Sequence, residues 1–188
     1  MVEALRANEL VADEAPANLP FDRVYEANFP FAWRMLRRLG VQDPDVSDAV
    51  QDVFAVVSRR LSELSSEVTA RSFVYGTIVR VAHEYRRKQR RLVTTDEDSP
   101  ELPDPGARSA LDQLELARDI RLLDALLAEL DEDKRQVFVL VELEQLSVPE
   151  IAVLTRWNTN TIYSRLRAAR AAFDSALARH RAKTRRTI

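Results

Sequence analysis

The sequence predicts an all-α protein: two small helical domains joined by a flexible acidic linker, the C-terminal one a helix-turn-helix. Three observations carry this. Apolar residues recur at helical spacing over most of the 188 residues. No stretch alternates apolar and polar residues as a half-buried strand requires, and the chain has only three glycines. Residues 92–108 hold three prolines, one glycine and five acids, a composition that opposes packing and marks a linker.

Residues 1–19 read as a flexible leader without the apolar core of a signal peptide. The first domain spans residues 20–91. Its first helix is expected from Phe21 to Leu39, with Gly40 as C-cap and Pro30 kinking or dividing it. Asp43-Pro44-Asp45 starts a second helix, its carboxylates suited to the positive helix end. That helix buries Val46, Ala49, Val50, Val53, Val57 and Leu61, and Phe54 reads as core. Residues 62–69, SELSSEVT, read as a loop. A third helix follows from Ala70 to Lys88, with Phe73, Ile78, Val81 and Tyr85 inward.

The second domain spans residues 109–188. An amphipathic helix over 111–130 turns Leu111, Leu114, Ile120, Leu123, Leu127 and Leu130 inward. Asp131 caps the next helix, which buries Val137, Phe138, Leu140 and Val141. Ser147 and Glu150 form an S-x-x-E capping box, with Pro149 in the first turn, where a missing N–H costs little. Ile151 and Leu154 share one face. Residues 155–158 break the pattern, and a new face runs through Ile162, Leu166, Ala169 and Phe173. Three short helices around one small core make a helix-turn-helix. The basic tail RHRAKTRRTI is expected to fray at its end.

With Ile162 and Leu166 inward, Asn160, Tyr163, Ser164 and Arg167 point elsewhere, near the N-terminal half of the last helix. In a helix-turn-helix these are the positions that meet base edges. Asn pairs bidentately with adenine and Arg with guanine, while Ser, Thr and Tyr hold phosphates. On pattern alone, a solvated helical hairpin is the competing reading.

The formal net charge of −2 hides an asymmetry. Nine Lys/Arg face one acid from Arg156 to the C-terminus, and six bases face one acid from Arg80 to Arg91. Basic blocks flanking an acidic one suit a protein that meets nucleic acid at two places. Absence of cysteine leaves no disulfide or thiolate metal site and fits a reducing cytoplasm. No apolar run approaches the ~18 residues that span a bilayer, so no membrane insertion is expected. His83 and His180 are far apart, and His83 does not face its neighbour Glu84 across a helix. No catalytic, cofactor or metal constellation appears, so the chain is not read as an enzyme.

Over residues 20–178 the chain resembles an extracytoplasmic-function (ECF) sigma factor, the smallest type of bacterial RNA polymerase sigma subunit. Three stretches carry the resemblance: DVSDAVQDVFAVV at 45–57, ARSFVYGTIVRVAHEYRRKQRR at 70–91, and the segment from Leu130 to Arg170. The first matches the family's polymerase-binding helix, the second its promoter-melting helix, the third its reader of the minus-thirty-five element. The resemblance implies that Asp48, Gln51 and Asp52 dock on core RNA polymerase. It implies that Ser65, Ser66 and Glu67 capture a flipped minus-ten base, and that Arg71, Arg80, Arg86 and Arg87 follow the separated strands' phosphates. Asn158, Thr159, Asn160, Thr161, Tyr163, Ser164, Arg165 and Arg167 cover the minus-thirty-five recognition segment. Within it, Asn160 and Tyr163 are the expected base readers, and the arginines the expected phosphate clamps. The acidic linker threads through polymerase in the family.

The implied partners are core RNA polymerase, double-stranded promoter DNA, the melted non-template strand and an anti-sigma factor, in the bacterial cytoplasm. The alternative is a helix-turn-helix regulator acting without core polymerase, which has no need of the 45–57 helix. The sequence also departs from the family. Arg156 stands where the turn usually has glycine, at a cost of about 1 kcal/mol if positive φ is still required. Thr155 replaces a usual Leu, with Trp157 beside it. Asp131 replaces a common Pro, Phe73 a common Trp, and Val79-Arg80 a frequent Arg-Asn pair.

Overall fold

The computed structural model describes residues 19–92 and 110–186, and these contain no strand. The leader and nearly all of the linker lie outside the described residues. Helix α1 (Phe21–Arg38) is unbroken through Pro30, so the proline does not divide it. Proline removes one intrahelical bond, but the helix buries Val24, Phe31, Ala32, Met35 and Leu36, and tertiary packing overrides the local defect. Gly40 ends the helix as expected. It adopts φ 94, its N–H donates to the Arg37 carbonyl, and Val41 N–H donates to the Leu36 carbonyl. This paired arrangement needs a left-handed residue, which glycine supplies without strain.

Helix α2 (Asp43–Arg59) begins at the Asp-Pro-Asp signal and buries Val46, Ala49, Val50, Val53, Phe54 and Val57. Leu61 falls beyond it, half-buried in a 3-10 turn, Leu61–Glu63. The expected loop 62–69 is shorter than its composition suggested. Helix α3 (Glu67–Leu92) starts three residues before Ala70 and runs past Lys88. Ser66 explains the early start: its Oγ accepts from Thr69 N–H at 3.2 Å, the geometry of an N-cap.

Helix α4 (Ala110–Ala128) ends two residues short of the expected 130. Leu127 and Leu130 are buried, Ile120 and Leu123 half-buried; the side chains of Leu111 and Leu114 lie outside those described. Helix α5 (Glu132–Phe138) is capped by Asp131, whose side chain accepts from Lys134 N–H at 2.9 Å. It passes into a π-helical turn, Val139–Leu143, that the sequence did not announce. Helix α6 (Val148–Thr155) carries both halves of the Ser147–Glu150 capping box. Helix α7 (Thr159–Arg186) extends into the basic tail, whose last two residues lie outside the described residues.

Helices α1, α2 and α3 pack on one another, and α5, α6 and α7 form the second group, with α4 against α7. One continuous apolar cluster joins the groups, because α3 also packs on α6.

Candidate nucleic-acid interface

The turn between α6 and α7 sets the aim of the last helix. Arg156 adopts φ 60 and ψ 21, the left-handed conformation for which glycine is usual. Thr155 holds the turn. Its Oγ1 donates to the Ile151 carbonyl at 2.7 Å and accepts from Trp157 N–H at 3.1 Å. Arg165 lies with its guanidinium carbon 4.3 Å from the Trp157 ring centroid. Trp157 thereby packs against the core where a leucine was expected at 155.

On α7 the eight recognition candidates separate into groups. Ile162 and Leu166 are buried, which turns Thr159, Asn160, Tyr163, Ser164 and Arg167 outward. Tyr163 is 60% exposed, high for an aromatic side chain and apt for a contact surface. Asn158 instead caps the helix, its Oδ1 accepting from Asn160 N–H at 2.8 Å. The Ser164 hydroxyl donates to the Thr161 carbonyl at 3.0 Å. Arg165 pairs with Asp133 at 2.6 Å and so ties α7 to α5. Farther along, Arg170 pairs with Glu142 and Arg179 with Glu129, so part of the basic block is neutralised by the unit's own acids.

Around α3 the candidates also diverge. Ser65, Ser66 and Glu67 are exposed, but Glu67 lies in the first turn of α3 and pairs with Arg23 at 2.6 Å. Arg80 and Arg87 are exposed. Arg71 sits over the Phe31 ring, 4.5 Å from its centroid. Arg86 is largely covered: it donates to the Leu39 carbonyl at 3.4 Å and lies 3.9 Å from Glu132. A cleft of about 560 Å³ is floored by α3 at Phe73, Gly76 and Arg80, and faced by Leu154, Arg156 and Trp157.

Asp48, Gln51 and Asp52 share the exposed face of α2. Asp52 is oriented by Tyr85 of α3, whose hydroxyl donates to it at 2.8 Å. Burial, then the Asp52 bond, push the Tyr85 hydroxyl up to about 12, so it stays a donor at neutral pH. Gln89 similarly holds Asp45 at 3.0 Å.

Sequence reasoning missed a polar group at the junction of the two helical units. Glu144, just after the π-helical turn, accepts from Arg34 Nε at 3.1 Å, from Arg34 Nη2 at 2.8 Å, and from Arg38. Arg135 is 5% exposed and donates to the carbonyls of Leu39, Ala128 and Leu130. Burial lowers its pKa to about 10, which still leaves the guanidinium charged at neutral pH. Among the described residues no His/Cys/Asp/Glu group is disposed to hold a metal, and no helix is long and apolar enough to cross a membrane.

Residues 24–92 match the family model for sigma-70 region 2, and residues 120–173 that for sigma-70 region 4. The chain is 29% identical over 143 residues to the ECF RNA polymerase sigma-E factor of Escherichia coli strain K12, covering 72% of this chain and 75% of that protein. It is also 29% identical over 122 residues to the RNA polymerase sigma factor SigV of Bacillus subtilis strain 168, covering 65% and 69%. Two solved structures share the fold. CnrH in complex with the cytosolic domain of CnrY superposes with a TM-score of 0.61 at 22% identity, covering 84% of this chain and 87% of that one. RpoE in complex with the anti-sigma factor NepR, from Bartonella quintana, gives 0.59 at 18%, covering 84% and 96%.

Proposed function

We propose a division of labour for this chain, which belongs to the ECF group of the sigma-70 family and is an RNA polymerase sigma factor. The exposed Asp48–Gln51–Asp52 face of α2 docks on core polymerase. Thr159, Asn160 and Tyr163, at the start of α7, read the minus-thirty-five major groove, and Arg167 clamps a phosphate beside it. The groove along α3, with Arg80 and Arg87, guides the melted non-template strand at the minus-ten element. The domains run as 20–91 and 109–188, joined by the 92–108 linker. The chain works in the bacterial cytoplasm and performs no covalent chemistry; polymerase supplies that.

One observation carries the reading. The buried Ile162–Leu166 stripe leaves Asn160, Tyr163 and Arg167 outward on a helix start, which is where a recognition helix meets base edges. Asn158 and Arg165 are assigned to the fold: the first caps α7 and the second braces it on Asp133 and Trp157. Ser164 is free to offer its oxygen to a phosphate while its proton stays on the Thr161 carbonyl.

The test is transcription from a cognate promoter by purified core polymerase, with and without the chain. Promoter-dependent initiation is expected only with it; no core binding and no initiation refutes the reading. By analogy with CnrH and RpoE, solved in complexes with CnrY and NepR, an anti-sigma factor holds this chain inactive. Capture of the chain from its native cell is expected to bring such a partner down, and recovery of polymerase alone counts against it.

A further inference from the structure

Helix α3 carries a glycine that the fold does not ask for. Glycine inside a helix is less favourable than alanine, because it adds freedom to the unfolded chain. Three demands of a fold justify such a residue: a left-handed backbone, a crowded Cβ, or a break in the helix. Gly40 meets the first two. It adopts φ 94, and a Cβ there would stand 2.8 Å from Arg135 Nη1. Gly76 meets none of them. It sits in regular helix without a left-handed φ, and α3 runs unbroken from Glu67 to Leu92. A Cβ at Gly76 would meet no atom within 4 Å, the adjoining helix backbone aside. A local rule broken without return inside the fold marks a position set by function.

The neighbours of Gly76 say what that function serves. Phe73, Gly76, Arg80, His83 and Arg87 recur every three or four residues and share one stripe of α3. Phe73 is half-buried and the other four are exposed. Phe73, Gly76 and Arg80 line the cleft of about 560 Å³, with Thr69 and Ser72 beside them. Arg60 lies over the Phe73 ring, 5.6 Å from its centroid. An aromatic ring followed by cations along one stripe suits single-stranded nucleic acid, whose bases stack and whose phosphates pair with cations. Phe73 and Arg80 stand seven residues apart, about 10 Å along the helix axis. That is three times the roughly 3.4 Å spacing of stacked bases, so one planar base fits between them with contact on both sides. Its edge reaches the helix backbone only where no side chain intervenes, and on this stripe the residue between them is Gly76.

We propose that Gly76 is the floor of a base seat: one unpaired base of the melted non-template strand enters between Phe73 and Arg80 and rests against the bare backbone of α3. The seat lies ten residues, about 15 Å, along from Ser66, so it takes a different base from the one implied for the 65–67 loop. The inference rests on the sigma-factor reading, which supplies the melted strand.

Two substitutions in the full chain, assayed with purified core polymerase, test it. Gly76→Ala should raise Tm by about 1–4 °C, as alanine does in an exposed helix interior. Gly76→Leu should stay helical by circular dichroism. Binding of each holoenzyme to a fluorescent fork-junction DNA, in which the non-template minus-ten strand of a cognate promoter is single-stranded, is read by anisotropy. Alanine is expected to weaken binding several-fold, and leucine by about 5- to 150-fold, the value of one base contact. Abasic sites are then scanned along the single strand. At one position the abasic DNA should bind the wild-type and Gly76→Leu holoenzymes alike, an outcome that a merely distorted helix does not give. A Gly76→Ala chain less stable than wild type overturns the proposal, since the glycine then serves the fold. Unchanged DNA affinity in either variant overturns it too, as does a loss that no abasic position relieves. If the wild-type chain binds no core polymerase, the sigma reading falls and the seat with it; if wild type binds and initiates while the variants match it, the seat alone falls.

Discussion

Replacing Arg156 with glycine is expected to stabilise the protein, although it removes a whole side chain. Arg156 holds φ 60 and ψ 21 between α6 and α7. A left-handed conformation costs an L-residue roughly 1–2 kcal/mol, and glycine nothing. Glycine gives back about 0.5–1 kcal/mol through the freedom it adds to the unfolded chain. The arginine side chain is exposed, and the turn's hydrogen bonds come from the Arg156 backbone N–H to Ala152 and from Thr155. Truncating it therefore changes stability by less than about 0.5 kcal/mol. The net gain for Arg156→Gly is about 0.5–1 kcal/mol, or about 1–4 °C in Tm for a chain of this size. Arg156→Ala keeps the Cβ and its strain while losing the same polar atoms, so it should match wild type. Urea denaturation of the three chains gives the comparison, read as midpoints at constant m-value. A glycine variant no more stable than the alanine variant refutes the assignment of strain to this residue.

Three further outcomes are expected. Asn160→Ala or Tyr163→Ala should weaken binding to a cognate minus-thirty-five duplex by about 1–3 kcal/mol and relax preference at one base pair; Arg167→Ala should weaken all sequences alike and reduce the salt slope by about 1. Reversing Asp48, Gln51 and Asp52 to lysine should abolish core-polymerase binding in a sedimentation assay while circular dichroism stays helical, and retained transcription would point to a regulator independent of polymerase. Asp131→Ala should cost about 0.5–2 kcal/mol through loss of the α5 cap. Bonds from Lys134 hold the Asp131 carboxyl below its usual 3.8, so the stabilisation is present above that pH and lost as pH falls through the lower folded value; the gap between wild type and Asp131→Ala should close there in acid denaturation.

What could be read from the sequence was local. The Ser147–Glu150 box, the Asp131 cap and the Gly40 stop each bind backbone groups within a few residues, so spacing alone reveals them. The left-handed residue at 156 was legible only through the resemblance, which puts a glycine at that turn. The structure adds most where a second demand competes for the same atoms. Asn158 is as good a helix cap as a base reader, and only the fold shows its Oδ1 already engaged. Arg165 sits among outward residues in sequence, yet Trp157 and Asp133 draw it inward. Arg135 lies in the charged run EDKR, and its partners, the Leu39, Ala128 and Leu130 carbonyls, include one from a different unit. The π-helical turn has no periodic signature, since one added residue only shifts the phase of the apolar stripe.

The chemistry of the junction bears on how firmly the units are joined. An apolar interface would gain about 25 cal/mol for every Å² buried and would resist opening. Here Glu144, Arg34, Arg38, Arg135, Tyr75 and Gln136 all give up water to meet one another or backbone carbonyls, and the gain from each bond is largely offset by that desolvation. This polar part of the contact is therefore specific in geometry but modest in net free energy, while the apolar side chains that α3 and α6 bury against one another supply the hydrophobic part. Removing the charge of Glu144 would leave two guanidinium groups of α1 without their counter-charge at once.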